Sequence, residues 1–157
     1  MDFNKLEVYD MRRVHNMVPN FGGNVDEIRD TFYKSMKEYL DTLNLSEQIE
    51  FFQTTINIGG GFFGKNKIDA VGIKYKNGKM KKLGAFYLMT NIGNVLNFSL
   101  YKQASLGFFD ILTGKSSSEK VQLIQSKLKT IEEDEEFSMF NAVSDQMFEI
   151  GLNSVKI

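Results

Sequence analysis

The chain has no cysteine, no tryptophan, one proline and one histidine. Without cysteine there is no disulfide, no thiolate nucleophile and no zinc–thiolate centre, which fits a reducing compartment. A single histidine, His15, excludes a histidine-rich metal site. Also missing is any apolar run near the roughly 18–20 residues that a membrane-spanning helix needs. The opening residues, MDFNKLEVYD, carry early acids and no apolar core, so they do not read as a secretory signal. These absences lead to the expectation of a cytoplasmic, soluble protein forming one domain over residues 1–157.

Fourteen phenylalanines and eight methionines supply bulky, adaptable packing for a core. The formal net charge of −1 hides a partition. Residues 62–102 hold eight lysines against the single Asp69. Residues 1–61 hold ten acids against six bases, and residues 116–157 eight acids against four lysines. The middle of the chain is therefore far more attractive to anions than the total suggests.

Periodicity divides the chain into an irregular lead-in over 1–23, a helix over 24–43, a β-meander over 48–102 and a mainly helical part over 116–157. Asn24 is a good N-cap, with Glu27 as its capping-box partner. Ile28, Phe32, Met36 and Leu40 then repeat at helical spacing. Gln48–Ile58 is rich in β-branched and aromatic residues. Runs at 67–76 and 79–89 flank Asn77-Gly78, and a last strand is expected at 95–102. Ser116 and Glu119 open a helix expected over 117–135, which would end in the acidic run Glu132-Glu133-Asp134-Glu135-Glu136. Negative charge at a helix C-terminus opposes the macrodipole, so fraying is expected there. The segment 143–155 puts Met147, Gly151, Leu152 and Val155 on one helical face. The fold class that follows is α+β: an antiparallel meander of about four strands packed against an N-terminal and a C-terminal helix.

No motif for catalysis is intact. Gly59–Asn66 (GGGFFGKN) follows a phosphate-loop pattern up to Lys65, but Asn66 stands where a magnesium-binding hydroxyl is needed, and a strand rather than a helix follows. Gly107–Ser116 ends in Gly114-Lys115-Ser116 but has Phe109 in place of the first glycine. His15 with Asp10 lacks the partner motif of a general base. Residues 132–136 lack the spacing and glycine of a calcium loop. The apolar knot Leu106–Leu112 (LGFFDIL) reads as core. No cofactor is implied.

The feature that points outward is the lysine hairpin. A two-residue Asn77-Gly78 turn would place Lys76 opposite Lys79 and Lys74 opposite Lys81, with all four lysines on one face and Lys82 beside them. Like charges across a ladder are mildly destabilising, so something must answer them. Candidates are an acidic protein surface, a second copy of the chain, or its own run at Glu132, Glu133, Asp134, Glu135 and Glu136. Nucleic acid is an alternative, with Tyr75 and other aromatics stacking on bases, and so are anionic lipid headgroups. A solvated, charge-blunted hairpin that only keeps the sheet soluble is the plainest reading. The run VGIKYKNGKMKKLGAFYLMTNIGNVLNFSLYKQ resembles the opening three strands of a pleckstrin-homology domain, whose first hairpin is basic. The resemblance spans about residues 71–103 and implies a lipid-facing hairpin. It departs from the family in lacking the final-helix tryptophan and in the helical character of residues 104–157. The expected function is non-enzymatic: a small binding or inhibitor-type protein that uses Lys74, Lys76, Lys79, Lys81, Lys82 and Tyr75 against an acidic partner or its own copy.

Overall fold

A computed structural model describes residues 12–19, 22–57, 67–104 and 117–156. Its elements in chain order are β1 (Arg12–Pro19), α1 (Val25–Thr42), β2 (Ile49–Asn57), β3 (Lys67–Tyr75), a 3-10 turn (Lys79–Lys82), β4 (Leu83–Ile92), β5 (Val95–Ala104), α2 (Ser117–Ser126) and α3 (Ile131–Val155). The class is α+β with an antiparallel sheet, as the periodicity indicates. The sheet has five strands rather than four, in the order β1-β5-β4-β3-β2.

The fifth strand comes from the supposed lead-in. β1 pairs along β5 from Arg12 opposite Lys102 to Pro19 opposite Val95. Its local signal is weak, but β5 would otherwise be an open edge, and pairing with it supplies the hydrogen bonds that fix the strand. The stretch resembling pleckstrin-homology strands is β3–β5. Here those strands form the middle of a sheet whose edges are β1 and β2, with α1 joining the two edges.

α1 begins where capping chemistry places it. Asn24 Oδ1 accepts the backbone N–H groups of Asp26 (3.0 Å) and Glu27 (3.4 Å). The helix ends at Leu43, and Asn44 takes the left-handed conformation (φ 53°) that turns the chain toward β2. Phe32, Met36 and Leu40 are buried on its inner face.

The β3–β4 connection corrects the expected register. Only Gly78 has positive φ (76°), whereas a two-residue hairpin turn of the Asn-Gly kind needs positive φ at both positions. Lys74 lies opposite Gly84 and Ile73 opposite Ala85. The shift from the expected pairing is odd, so every side chain of β4 turns over. Leu83, Ala85, Tyr87 and Met89 join the core shared with the helices, while Phe86 and Leu88 join Ile56 and Ala70 on the other face. The shift also removes the lysine-against-lysine pairs, which is its physical reason. The β4–β5 turn is a two-residue loop, with Ile92 opposite Val95 and φ 60° at Gly93.

The single helix expected over 117–135 is two. The chain breaks at Lys127–Thr130, and Thr130 Oγ1 caps α3 by accepting the N–H of Glu133 (3.2 Å). The acidic run therefore sits at a helix N-terminus, where the dipole favours it, rather than at a C-terminus. α3 packs against α1 over one face of the sheet. Phe32 is the pivot, meeting Phe98 of β5 (ring centroids 4.8 Å apart) and Phe148 of α3 (6.3 Å). Gly151 makes the helix contact possible, since a Cβ there would lie 2.5 Å from the Phe32 ring. The segments 59–66 and 105–116, with both glycine-lysine near-motifs and the LGFFDIL knot, and also Asp10, lie outside the described residues.

Candidate binding site

One end of the sheet gathers the lysines, and three things hold it together. Met80, in the middle of the 3-10 turn, is fully buried and anchors that turn. Tyr75, the last residue of β3, is buried beside Phe140 (ring centroids 5.7 Å apart) and donates its hydroxyl to the Glu136 carbonyl (3.2 Å). Burial, helped by the Glu136 charge, pushes its phenol up to about 12, so it stays a neutral donor. Lys79 Nζ meets Glu133 Oε1 at 2.5 Å and the Lys127 carbonyl at 3.4 Å, tying the turn to the start of α3.

Glu133 is the hub of this junction. Its carboxylate also accepts the Lys129 N–H at 2.7 Å. These contacts hold its carboxyl below the ordinary glutamate value, the Lys129 backbone bond contributing most and Lys79 next. Glu132, Asp134 and Glu135 are exposed and Glu136 is half-buried, so most of the acidic run faces solvent beside the lysine turn.

The lysines do not share one face. Lys74 lies on the sheet face away from the helices, paired with Glu50 (3.4 Å) and above the Phe52 ring (5.1 Å from its centroid). Lys76 is exposed just past β3, with Nζ bonded to the Ser46 carbonyl at 2.5 Å. Lys81 is exposed and Lys82 half-buried. Among the described residues, Lys76, Lys81 and Lys82 have no carboxylate partner. Lys127 and Lys129, in the α2–α3 link, are exposed neighbours of the turn that the sequence reading did not assign to the site. The signal that would have found them is Thr130-x-x-Glu133, a capping box that breaks the helix and brings the link to this end.

Elsewhere, two inward-pointing side chains of the sheet find their partners on α3. Tyr87 is wholly buried, and its hydroxyl donates to the Ser144 carbonyl at 2.9 Å. Burial holds its phenol well above the ordinary value. Lys102 reaches from β5 to Asp145 of α3 (2.7 Å) and to Asn141 Oδ1 (3.2 Å). His15 lies in β1 in register with Ser99. No group of histidine and carboxylate residues suited to a metal ion occurs among the described residues. No helix among them is long and apolar enough to cross a membrane.

No protein-family model matches the chain, and no curated protein matches it. Among solved structures it superposes on the crystal structure of TTHA0849 from Thermus thermophilus, at 10% sequence identity and a TM-score of 0.31. That superposition covers 93% of this chain and 99% of the other. At that score the likeness carries no functional meaning.

Proposed function

We propose that the protein is a non-enzymatic binding module that docks an acidic segment of a partner protein on its lysine-bearing end. The observation that carries this reading is the anchored turn: Met80 is buried, while Lys81 and Lys82 beside it, and Lys76 before it, have no carboxylate partner among the described residues. A cationic turn fixed before binding loses little conformational freedom when an anion arrives. Lysines suit this task as flexible point charges that raise the association rate and select partner charge more than they add affinity. A second copy of the chain is also supported, because the exposed acids of α3 adjoin the lysines. Two such ends related by a two-fold axis would set each basic turn against the other's acidic run.

The test is fluorescence anisotropy with a fluorescein-labelled, glutamate-rich peptide, and with the same peptide carrying glutamine in place of glutamate. The acidic peptide is expected to bind and to be released as salt rises to about 0.5 M, where exposed charges are screened within a few ångströms. The glutamine peptide is expected not to bind. A single-stranded RNA and phosphatidylserine vesicles serve as competitors; displacement by either at lower concentration than the peptide would overturn the protein-partner reading. Sedimentation velocity at low salt reports the second copy, as a salt-sensitive dimer.

A further inference from the structure

β2 ends the sheet order, so one side of this nine-residue strand has no neighbour among the described residues. The direction of its backbone groups follows from one bond. Gln48 stands a step before the Ile49–Tyr75 pair, and its carbonyl accepts the Lys76 N–H at 2.8 Å. Successive residues of an antiparallel strand point these groups to opposite sides, so Glu50, Phe52, Thr54 and Ile56 turn theirs toward β3. Ile49, Phe51, Gln53, Thr55 and Asn57 turn theirs outward. The Ile49 N–H donates to the Leu45 carbonyl at 2.7 Å, which closes the edge at its start. The N–H groups of Phe51, Gln53, Thr55 and Asn57 have no partner among the described residues.

Open edges are ordinarily blunted by charge, proline or a bulge. The other edge strand, β1, has Arg12 and Arg13 at its start and Pro19 at its end. β2 has none of these devices. Phe51–Asn57 (FFQTTIN) is uncharged and free of glycine and proline, and its pairing with β3 runs without a bulge. Its one charge, Glu50, is answered by Lys74 at 3.4 Å. A strand of this composition with open backbone groups is a template for a further strand.

We propose that this edge pairs with the same edge of a second copy, antiparallel about a two-fold axis at Gln53, so that two sheets join into one. Gln53 is the middle residue of β2 and one of those facing outward, so the two Gln53 residues exchange both backbone bonds on the axis. Phe51 then pairs with Thr55 of the second copy, and Phe52 stands opposite its Thr54. Aromatic against β-branched is a favoured cross-strand pair. Phe51 and Phe52 are half-buried in the single chain, and the added strand covers more of both. The two Glu50 residues fall on either side of the axis, about 20 Å apart, so like charges do not meet. Pairing β2 with β1 of a second copy would meet Pro19 and the arginines and leave an open filament, whereas β2 against β2 closes. The interface lies at the small end of specific contacts, so the dimer is weak.

Sedimentation velocity of the full chain is expected to show a monomer–dimer equilibrium with a Kd of about 100 µM or tighter. Salt at about 0.5 M is expected to leave it in place, since no charge pair holds it. Gln53→Lys sets two like charges together on the axis and is expected to weaken the dimer at least about tenfold. Gln53→Pro removes an outward N–H while sparing the ladder with β3, and is expected to do the same. Amide exchange gives a second reading. Phe51 and Thr55 are expected to exchange more slowly in the concentrated parent than in Gln53→Lys, while Phe52 and Thr54, bonded to β3, stay protected in both. The proposal is overturned by a monomer at about 500 µM, by a Gln53→Lys chain that dimerises as the parent does, or by Phe51 and Thr55 amides that exchange equally fast in both. Protected Phe52 and Thr54 amides show that the variant keeps its fold. A dimer that salt dissolves, and that Lys76→Glu with Lys81→Glu abolishes, would belong to the lysine end and would also overturn this pairing.

Discussion

At Gly151 a single missing methyl group decides how closely two helices approach. An added Cβ would lie 2.5 Å from one Phe32 ring carbon, 2.7 Å from another and 3.1 Å from Met36 Cγ. The ring cannot swing aside, because Phe98 and Phe148 already flank it. Alanine is favoured over glycine in a helix by about 1 kcal/mol, but overpacking a filled core costs about 1–3 kcal/mol. Gly151→Ala is therefore expected to be net destabilising, by up to about 2 kcal/mol, read as a lower urea midpoint with an unchanged m-value. Glu133 gives a second prediction at this scale. Its carboxyl titrates below the ordinary 4.5 because of the Lys129 N–H and Lys79. A lowered pKa in the folded state means that the contribution is present above the unfolded value and is lost as pH falls through the folded pKa. Glu133→Gln is expected to lower the urea midpoint at pH 7. The gap from the parent is expected to narrow as pH falls below the ordinary glutamate range and to close once Glu133 is protonated in the folded protein.

Among the elements, those with strong local signals were legible and those made by partners were not. Asn24 and the stripe through Phe32, Met36 and Leu40 mark α1 to within a residue or two of its ends. β1 was not legible, since what makes it a strand is β5, some eighty positions away in the sequence. The β3–β4 register failed for another reason. The Asn-Gly signal is correct that a turn occurs, but local turn chemistry says nothing of the cost of opposing lysines or of which face of β4 the core requires. The helix break before α3 has a local signal that the apolar periodicity outweighs: Thr130 and Glu133 stand three apart, as a capping box demands. That cap gives the prediction proper to this scale. Thr130→Ala is expected to cost about 1 kcal/mol in urea unfolding. It is also expected to speed amide exchange in the first turn of α3 while leaving α1 unaffected.

For the molecule as a whole, the charge partition of the sequence becomes a spatial arrangement at one end of the sheet. The basic middle and the acidic C-terminal part were legible as opposites, and their meeting takes place through Lys79 and Glu133. What the sequence could not give is the division of labour. Lys74 and Lys79 are neutralised inside the chain, Tyr75 is committed to the core, and Lys76, Lys81 and Lys82 are left without carboxylates among the described residues.

The most direct measurement reverses the three free lysines together and asks whether the acidic peptide notices. Lys76→Glu, Lys81→Glu and Lys82→Glu in one chain is compared with Lys34→Glu, Lys67→Glu and Lys156→Glu, which change net charge equally at exposed positions away from the turn. Anisotropy at low salt is expected to show binding of the glutamate-rich peptide lost in the first variant, by about a hundredfold or more, and reduced severalfold at most in the second. Equal losses in both would mean that net charge alone attracts the peptide, and would contradict a docking site at the lysine end.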